Sequence, residues 1–145
     1  MHTKRVRNPS LYQKLIMNKS VQIVLLNEKG QVLAVSRKDN HNDFGLVGGK
    51  VDEGETIIEA AIRETKEETG LDITNLRCIL QMFKNYKMGY TFLADWSGTI
   101  YTKEPHIVKW TSFETINKGS FGEWNKIVTE TLDGMKINIQ KYERN

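Results

Sequence analysis

The sequence predicts an α/β fold, a mixed β-sheet flanked by helices. Three observations carry this. Short β-branched, apolar runs recur along the chain. Helical segments fall between them without a regular strand–helix–strand repeat. The 145 residues contain no internal repeat, no low-complexity linker and only two prolines, so one domain spans 1–145.

Taken in order, residues 21–26 (VQIVLL) and 32–35 (VLAV) read as strands. The turn 27–30 between them ends in Gly30, which suggests a β-hairpin. The polar stretch 38–43 (KDNHND) reads as an exposed loop, followed by a short strand from Phe44 that runs into a flexible corner at Gly48 and Gly49. Residues 56–69 read as a helix: Thr56 and Glu59 form a capping box, and Gly70 stands where a left-handed C-terminal cap belongs. Ile58, Ala61, Ile62, Thr65 and Thr69 share one face at helical spacing, so that face is expected against the sheet. Further strands are expected at 76–83, 90–96 and 106–111, a short capped helical turn at 112–116, and a last helix at 122–132.

Composition narrows the function classes. The longest apolar run is four residues (23–26), far short of the roughly 20 needed to span a bilayer, and no signal-like apolar stretch follows the basic N-terminus; a cytoplasmic, membrane-free protein is expected. Cys78 is the only cysteine, which excludes an internal disulfide or a cysteine-rich metal site; it is expected as a small buried residue on a strand. The net charge of +3 is unevenly placed. An N-terminal arm, residues 1–19, holds Lys4, Arg5, Arg7, Lys14 and Lys19 and no acid, leaving 16 basic against 18 acidic residues elsewhere. Such an arm can lean on nucleic acid or polyphosphate, or stay solvated; the second reading is preferred.

The chemistry concentrates on the 56–69 helix. At about 100° per residue, Glu68 lies about 40° and Glu67 about −60° from Glu64, so three carboxylates crowd one face. Glu64 and Glu68 form a like-charge i,i+4 pair, unfavourable unless a cation compensates it; hard oxygen donors on one face suit Mg²⁺, or Mn²⁺ in its place. An E-x-x-E-E run by itself is usually a solvated acidic face. Here glycines 48, 49 and 54 and Glu55 precede the helix, and glycines let backbone groups approach a metal or phosphate closely.

These residues resemble the Nudix box. Residues 49–71 (GKVDEGETIIEAAIRETKEETGL) follow its pattern of G, five residues, E, seven residues, R-E, two residues, E-E, one residue, G and an apolar residue. Every fixed position is met; the departures are Thr65, where an aliphatic residue is usual, and Val47, where many members carry proline. The resemblance implies the Nudix α/β/α sandwich with a mixed sheet. It implies Mg²⁺ held by Glu64, Glu67 and Glu68 with help from the Gly48 carbonyl, and Arg63 and Glu55 orienting the carboxylates. The implied chemistry is metal-assisted cleavage of a diphosphate bond, with Glu64 as base or direct ligand.

The C-terminal half is similar to MutT-type nucleoside triphosphate pyrophosphohydrolases. Lys103-Glu104 precedes Trp110 as in those members, which makes Glu104 a further ligand or base. Asn125 stands where they place a guanine-reading Asn, although it also suits the first turn of a helix. Arg37 is a candidate for phosphate or base, and Phe44 heads a group of aromatics (with Phe83, Tyr86 and Tyr90) from which one stacking partner is expected. His41 and His106 are expected to be bystanders. The leading expectation is a nucleotide substrate, a (deoxy)nucleoside triphosphate cut to monophosphate and pyrophosphate. ADP-ribose, a nucleotide sugar or a dinucleoside polyphosphate is the first alternative, and trimming or binding of an RNA 5′ end the second.

Overall fold

A computed structural model of the protein describes Ser10 and residues 18–143. The arm 1–19 lies almost wholly outside the described residues. Six strands form one mixed sheet: β1 (Lys19–Val24), β2 (Val32–Ser36), β3 (Phe44–Lys50), β4 (Asp72–Lys84), β5 (Lys87–Ser97) and β6 (Val108–Thr111), in the order β4-β5-β1-β3-β2-β6. The β1–β5 pair is parallel and every other ladder antiparallel. Helix α1 (Ile57–Thr69) lies between β3 and β4; α2 (Phe113–Asn117) and α3 (Gly122–Gly134) follow β6.

Alternation along the central strand divides the core in two. Val21, Ile23 and Leu25 pack with Val47, Phe92 and the α1 residues Ala60 and Ala61. Val24 packs on the opposite side with Phe44, Leu93, Phe113, Ile116 of α2 and Val128, Leu132 of α3. Helices therefore cover both faces of the sheet, the α/β/α sandwich that the box implies. Among the described residues, no helix is long and apolar enough to cross a membrane.

The strands expected as a β1–β2 hairpin are not ladder neighbours. Beyond the turn they touch only through the Leu26–Val32 bridge, and β3 wedges between them, its first half pairing with β2 and its second half with β1. The supposed corner at Gly48 and Gly49 is strand: those residues pair with Gln22 and Val21. A hairpin does form between β4 and β5, where Asn85 and Tyr86 both have positive φ (52° and 58°), the signature of a tight primed turn. Cys78 is exposed on β4, not buried.

Helix α1 has the expected ends. Thr56 caps the Glu59 N–H while the Glu59 carboxylate returns to the Thr56 N–H, and Gly70 closes the helix with φ 80°. Its buried face is narrower than expected: Ala60, Ala61, Thr65 and Thr69 are covered, but Ile58 and Ile62 are about two-fifths exposed. Small residues let the helix press close to the sheet, and the isoleucines point off that line. Thr65 suits its buried place because its hydroxyl donates to the Ala61 carbonyl at 2.7 Å.

Gly70 does more than cap. A Cβ there would stand 2.3 Å from the Tyr101 carbonyl oxygen, whereas at Gly54, with a similar φ of 81°, it would meet open space. Gly54→Ala should therefore cost only about 1 kcal/mol, the left-handed penalty, and Gly70→Ala clearly more. Urea unfolding of both variants checks this; equal losses would contradict the close approach.

Candidate active site

The carboxylates of α1 reach the edge of β3 where β2 has ended. Glu64 is mostly buried, with 16% of its side chain exposed, and the space it occupies exists because residue 49 is glycine: a Cβ there would lie 2.5 Å from the Glu64 carboxylate. Glu68, one turn on, accepts the Gly48 N–H at 3.1 Å. Glu67 is half exposed. Glu104, from the loop before β6, lines the same cleft of about 580 Å³. Glu64, Glu67, Glu68 and Glu104, called from sequence alone, are thus brought together, and Gly48 with them.

Arg63 is the hub. Its Nε and Nη2 grip Glu55 at 2.7 and 3.0 Å, and Nη1 reaches Glu64 at 3.0 Å and Glu67 at 3.3 Å. Nη2 also donates to the Lys50 carbonyl at 3.1 Å, tying the helix to the end of β3. Glu55 completes the clamp by accepting the Asp52 N–H at 3.0 Å. This paired guanidinium holds the Glu55 carboxyl down to about 2.

Lys38 and His106 flank Glu104. Lys38 pairs with Glu104 at 2.7 Å. The buried His106 donates its Nε2–H to the Glu68 carbonyl at 2.8 Å and leaves Nδ1 3.6 Å from Glu104. It is a structural tie that holds the end of α1 to the β5–β6 loop. Burial pushes Glu68 up to about 8, with the charges of Glu64 and Glu104 adding and the Gly48 N–H opposing. Burial also raises Glu64, against the pull of Arg63. Placed so, Glu68 favours its protonated form near neutrality unless a cation joins it.

Phe44 and Asn125 stand outside this cleft, and Arg37 borders it already paired. Phe44 is 7% exposed, packed in the α2–α3 core with the Lys109 ammonium 4.2 Å above its ring, so it is no stacking platform. Asn125 borders a second cleft; it is 1% exposed, and its Nδ2 donates one hydrogen bond to the Ile116 carbonyl at 3.1 Å, which ties α3 to α2. Arg37 lines the acidic cleft while paired with Asp39 at 3.1 Å.

The second cleft, about 700 Å³, lies between the sheet and the start of α3, and shares Leu46, Gly48, Ser120 and Phe121 with the acidic one. Asp43 accepts the Ser120 N–H at 2.9 Å and its hydroxyl, which pins the wall between the two. Sequence reasoning missed Lys38 and, in the second cleft, Gln22. For Gln22 a signal existed: it is the one polar residue within 21–26.

The comparisons identify the family and the fold. The NUDIX domain profile matches residues 17–132, and the chain belongs to that family of hydrolases acting on diphosphate bonds. It is 33% identical over 91 residues to the 8-oxo-dGTP diphosphatase of Buchnera aphidicola subsp. Schizaphis graminum, covering 61% of this chain and 70% of that protein. It is 26% identical to the RNA pyrophosphohydrolase of Bartonella bacilliformis, covering 90% of this chain and 89% of that one. With two further relatives the match spans only about a third of their length (32% and 37%). A solved MutT structure from work on the Aliivibrio salmonicida and Vibrio cholerae proteins shares the fold, with a TM-score of 0.67, 21% identity, and coverage of 80% of this chain and 97% of that one.

The Glu68 environment has a measurable signature. Its carboxyl rests at about 8 when folded, against about 4.3 when unfolded. The unfolded chain therefore gives up this proton first, and the contribution of Glu68 to stability, full below pH about 4, is lost as pH rises through 8. Metal-free protein should lose stability over that window, and Glu68→Gln should flatten the loss and raise the melting temperature at pH 8. A Glu68→Gln profile parallel to the parent's would remove the buried-carboxyl account.

Proposed function

We propose that the protein hydrolyses a (deoxy)nucleoside triphosphate to the monophosphate and pyrophosphate, with Mg²⁺ (or Mn²⁺) at the acidic cleft. The observation that carries the reading is the meeting of two clefts at Gly48. One is lined by Glu64, Glu67, Glu68 and Glu104 and suits a cation with phosphates; the other, walled by Leu46, Phe121 and Trp124, has room for a sugar and base.

The donor chemistry fits a hard divalent ion. Glu64 and Glu68 are partly desolvated carboxyls that disfavour ionising side by side, and the guanidinium beside Glu64 is shared with Glu55. Among the described residues, no group of three acidic or imidazole side chains already forms a cage, and Glu64 leans to Arg63. Glu64, Glu67 and Glu68 are the proposed ligands, with Glu104. The Gly48 carbonyl joins them, because an extended residue sends its C=O to the same edge as its N–H. When bound, the cation neutralises the phosphates and stabilises the charge that develops on them.

The chain's own part is placement. Arg63 and Glu55 fix the carboxylates; Glu64 is read as proton acceptor for the attacking water or as direct ligand. Water oxygen bonds to phosphorus, the phosphoanhydride bond breaks, the water proton passes to a carboxylate and the pyrophosphate leaves. A second reading, hydrolysis at a triphosphorylated RNA 5′ end, draws on Lys50, Lys84, Lys87 and Lys126 around the larger cleft and on the RNA pyrophosphohydrolase relative.

Product formation should be measured with and without Mg²⁺: pyrophosphate from dGTP, its 8-oxo form, the other triphosphates and 5′-triphosphorylated RNA, and the two phosphorylated halves from ADP-ribose and a dinucleoside polyphosphate. The expected result is Mg²⁺-dependent release from a free triphosphate, lowered about 100-fold or more by Glu67→Gln with melting unchanged. Turnover of ADP-ribose or RNA alone discards the triphosphate reading; full activity of Glu67→Gln discards the metal assignment.

A further inference from the structure

Among the described residues, one buried side-chain polar atom lacks any hydrogen-bond partner: Gln22 Oε1. Gln22 lies in the middle of the sheet, between Thr91 of β5 and Gly48 of β3. Neither neighbour answers it. Gly48 has no side chain, and a Cβ there would collide with the Val21 carbonyl at 2.1 Å. The Thr91 hydroxyl accepts the Trp124 indole N–H at 3.1 Å. Gln22 Nε2 donates to Ser20 Oγ at 3.1 Å, which steadies the carboxamide and leaves its oxygen without a partner.

An unanswered buried acceptor weakens a fold, so its presence calls for a reason. Gln22 shares a strand face with Ser20 and Val24, and Val24 packs on the α2–α3 side. That is the side of the larger cleft, which Gln22 lines with Leu46, Phe121 and Trp124. Apolar walls and one acceptor at the floor suit a flat heterocycle that enters edge first: its faces meet carbon and one N–H meets the oxygen.

We propose that Gln22 is a specificity residue, whose carboxamide oxygen accepts an N–H from the edge of the substrate's nucleobase. The proposal rests on the nucleotide reading above. It explains why an amide interrupts the apolar run 21–26, and it adds a second reader to the cleft that Asn125 also borders.

The test compares parent protein with Gln22→Met, which keeps length and removes the acceptor, and Gln22→Glu, which keeps a carbonyl. Kinetics are run on the triphosphates and on base-free ribose 5-triphosphate, and calorimetry measures binding of the matching nucleoside monophosphates. For Gln22→Met, KM for the preferred triphosphate should rise about 10-fold or more with kcat within about threefold. Monophosphate binding should weaken by the same factor, while base-free substrate is unaffected. Gln22→Glu should retain most of the preference. Melting of Gln22→Met should stay level or rise, since an orphan acceptor is gone. Unchanged base ranking and monophosphate affinity in a folded Gln22→Met would overturn the proposal, as would an equal loss on base-free substrate, which would make a ribose hydroxyl the donor. If the parent hydrolyses no triphosphate, the reading of the reaction fails; monophosphate binding still decides Gln22.

Discussion

The structure turns on one electrostatic constraint: four carboxylates share a cleft with too little positive charge beside them. Arg63 must serve Glu55, Glu64 and Glu67 together, and Lys38 is taken by Glu104. Glu68 is left with a backbone N–H and a raised pKa. Such a cluster is unfavourable in a free helix and worse when partly desolvated. The surroundings are built to hold it. Glu55 anchors the arginine, Gly49 makes room for Glu64, Gly48 turns an N–H towards Glu68, and His106 ties the backbone of Glu68 to the next loop.

The same constraint explains the close packing of α1. The carboxylates meet the strand edge only if the helix lies near β3, and Ala60 and Ala61 allow that approach. β3 in turn is placed by its double pairing with β1 and β2, which sets Gly48 beside Gln22 and at the junction of the two clefts. A phosphate end and a base end then follow from a single strand's position.

How much of this was legible in the chain depends on the range of the interaction. Local features read well: the Thr56–Glu59 box, the Gly70 cap and the one-sided carboxylates follow from spacing within a few residues. Long-range pairing read poorly. Adjacent strands with a tight turn look like a hairpin, and nothing in 21–35 shows that a strand from residue 44 onward inserts between them. Periodicity marked an apolar stripe but not which part of it the sheet covers, hence Ile58 and Ile62. Phe44 and Cys78 show the same limit, since residue type does not say whether a strand position faces the core or water. Gln22 was visible as an anomaly, yet its meaning needed the neighbours that fail to answer it.

The central claim is that Glu68 keeps its proton until a cation arrives. Calorimetric titration of Mg²⁺ into the metal-free protein at pH 7, repeated in buffers of different ionisation enthalpy, tests it directly. The account predicts binding with release of about one proton per site, lost in Glu68→Gln. Binding whose heat is independent of buffer, or no binding at millimolar Mg²⁺, would contradict it.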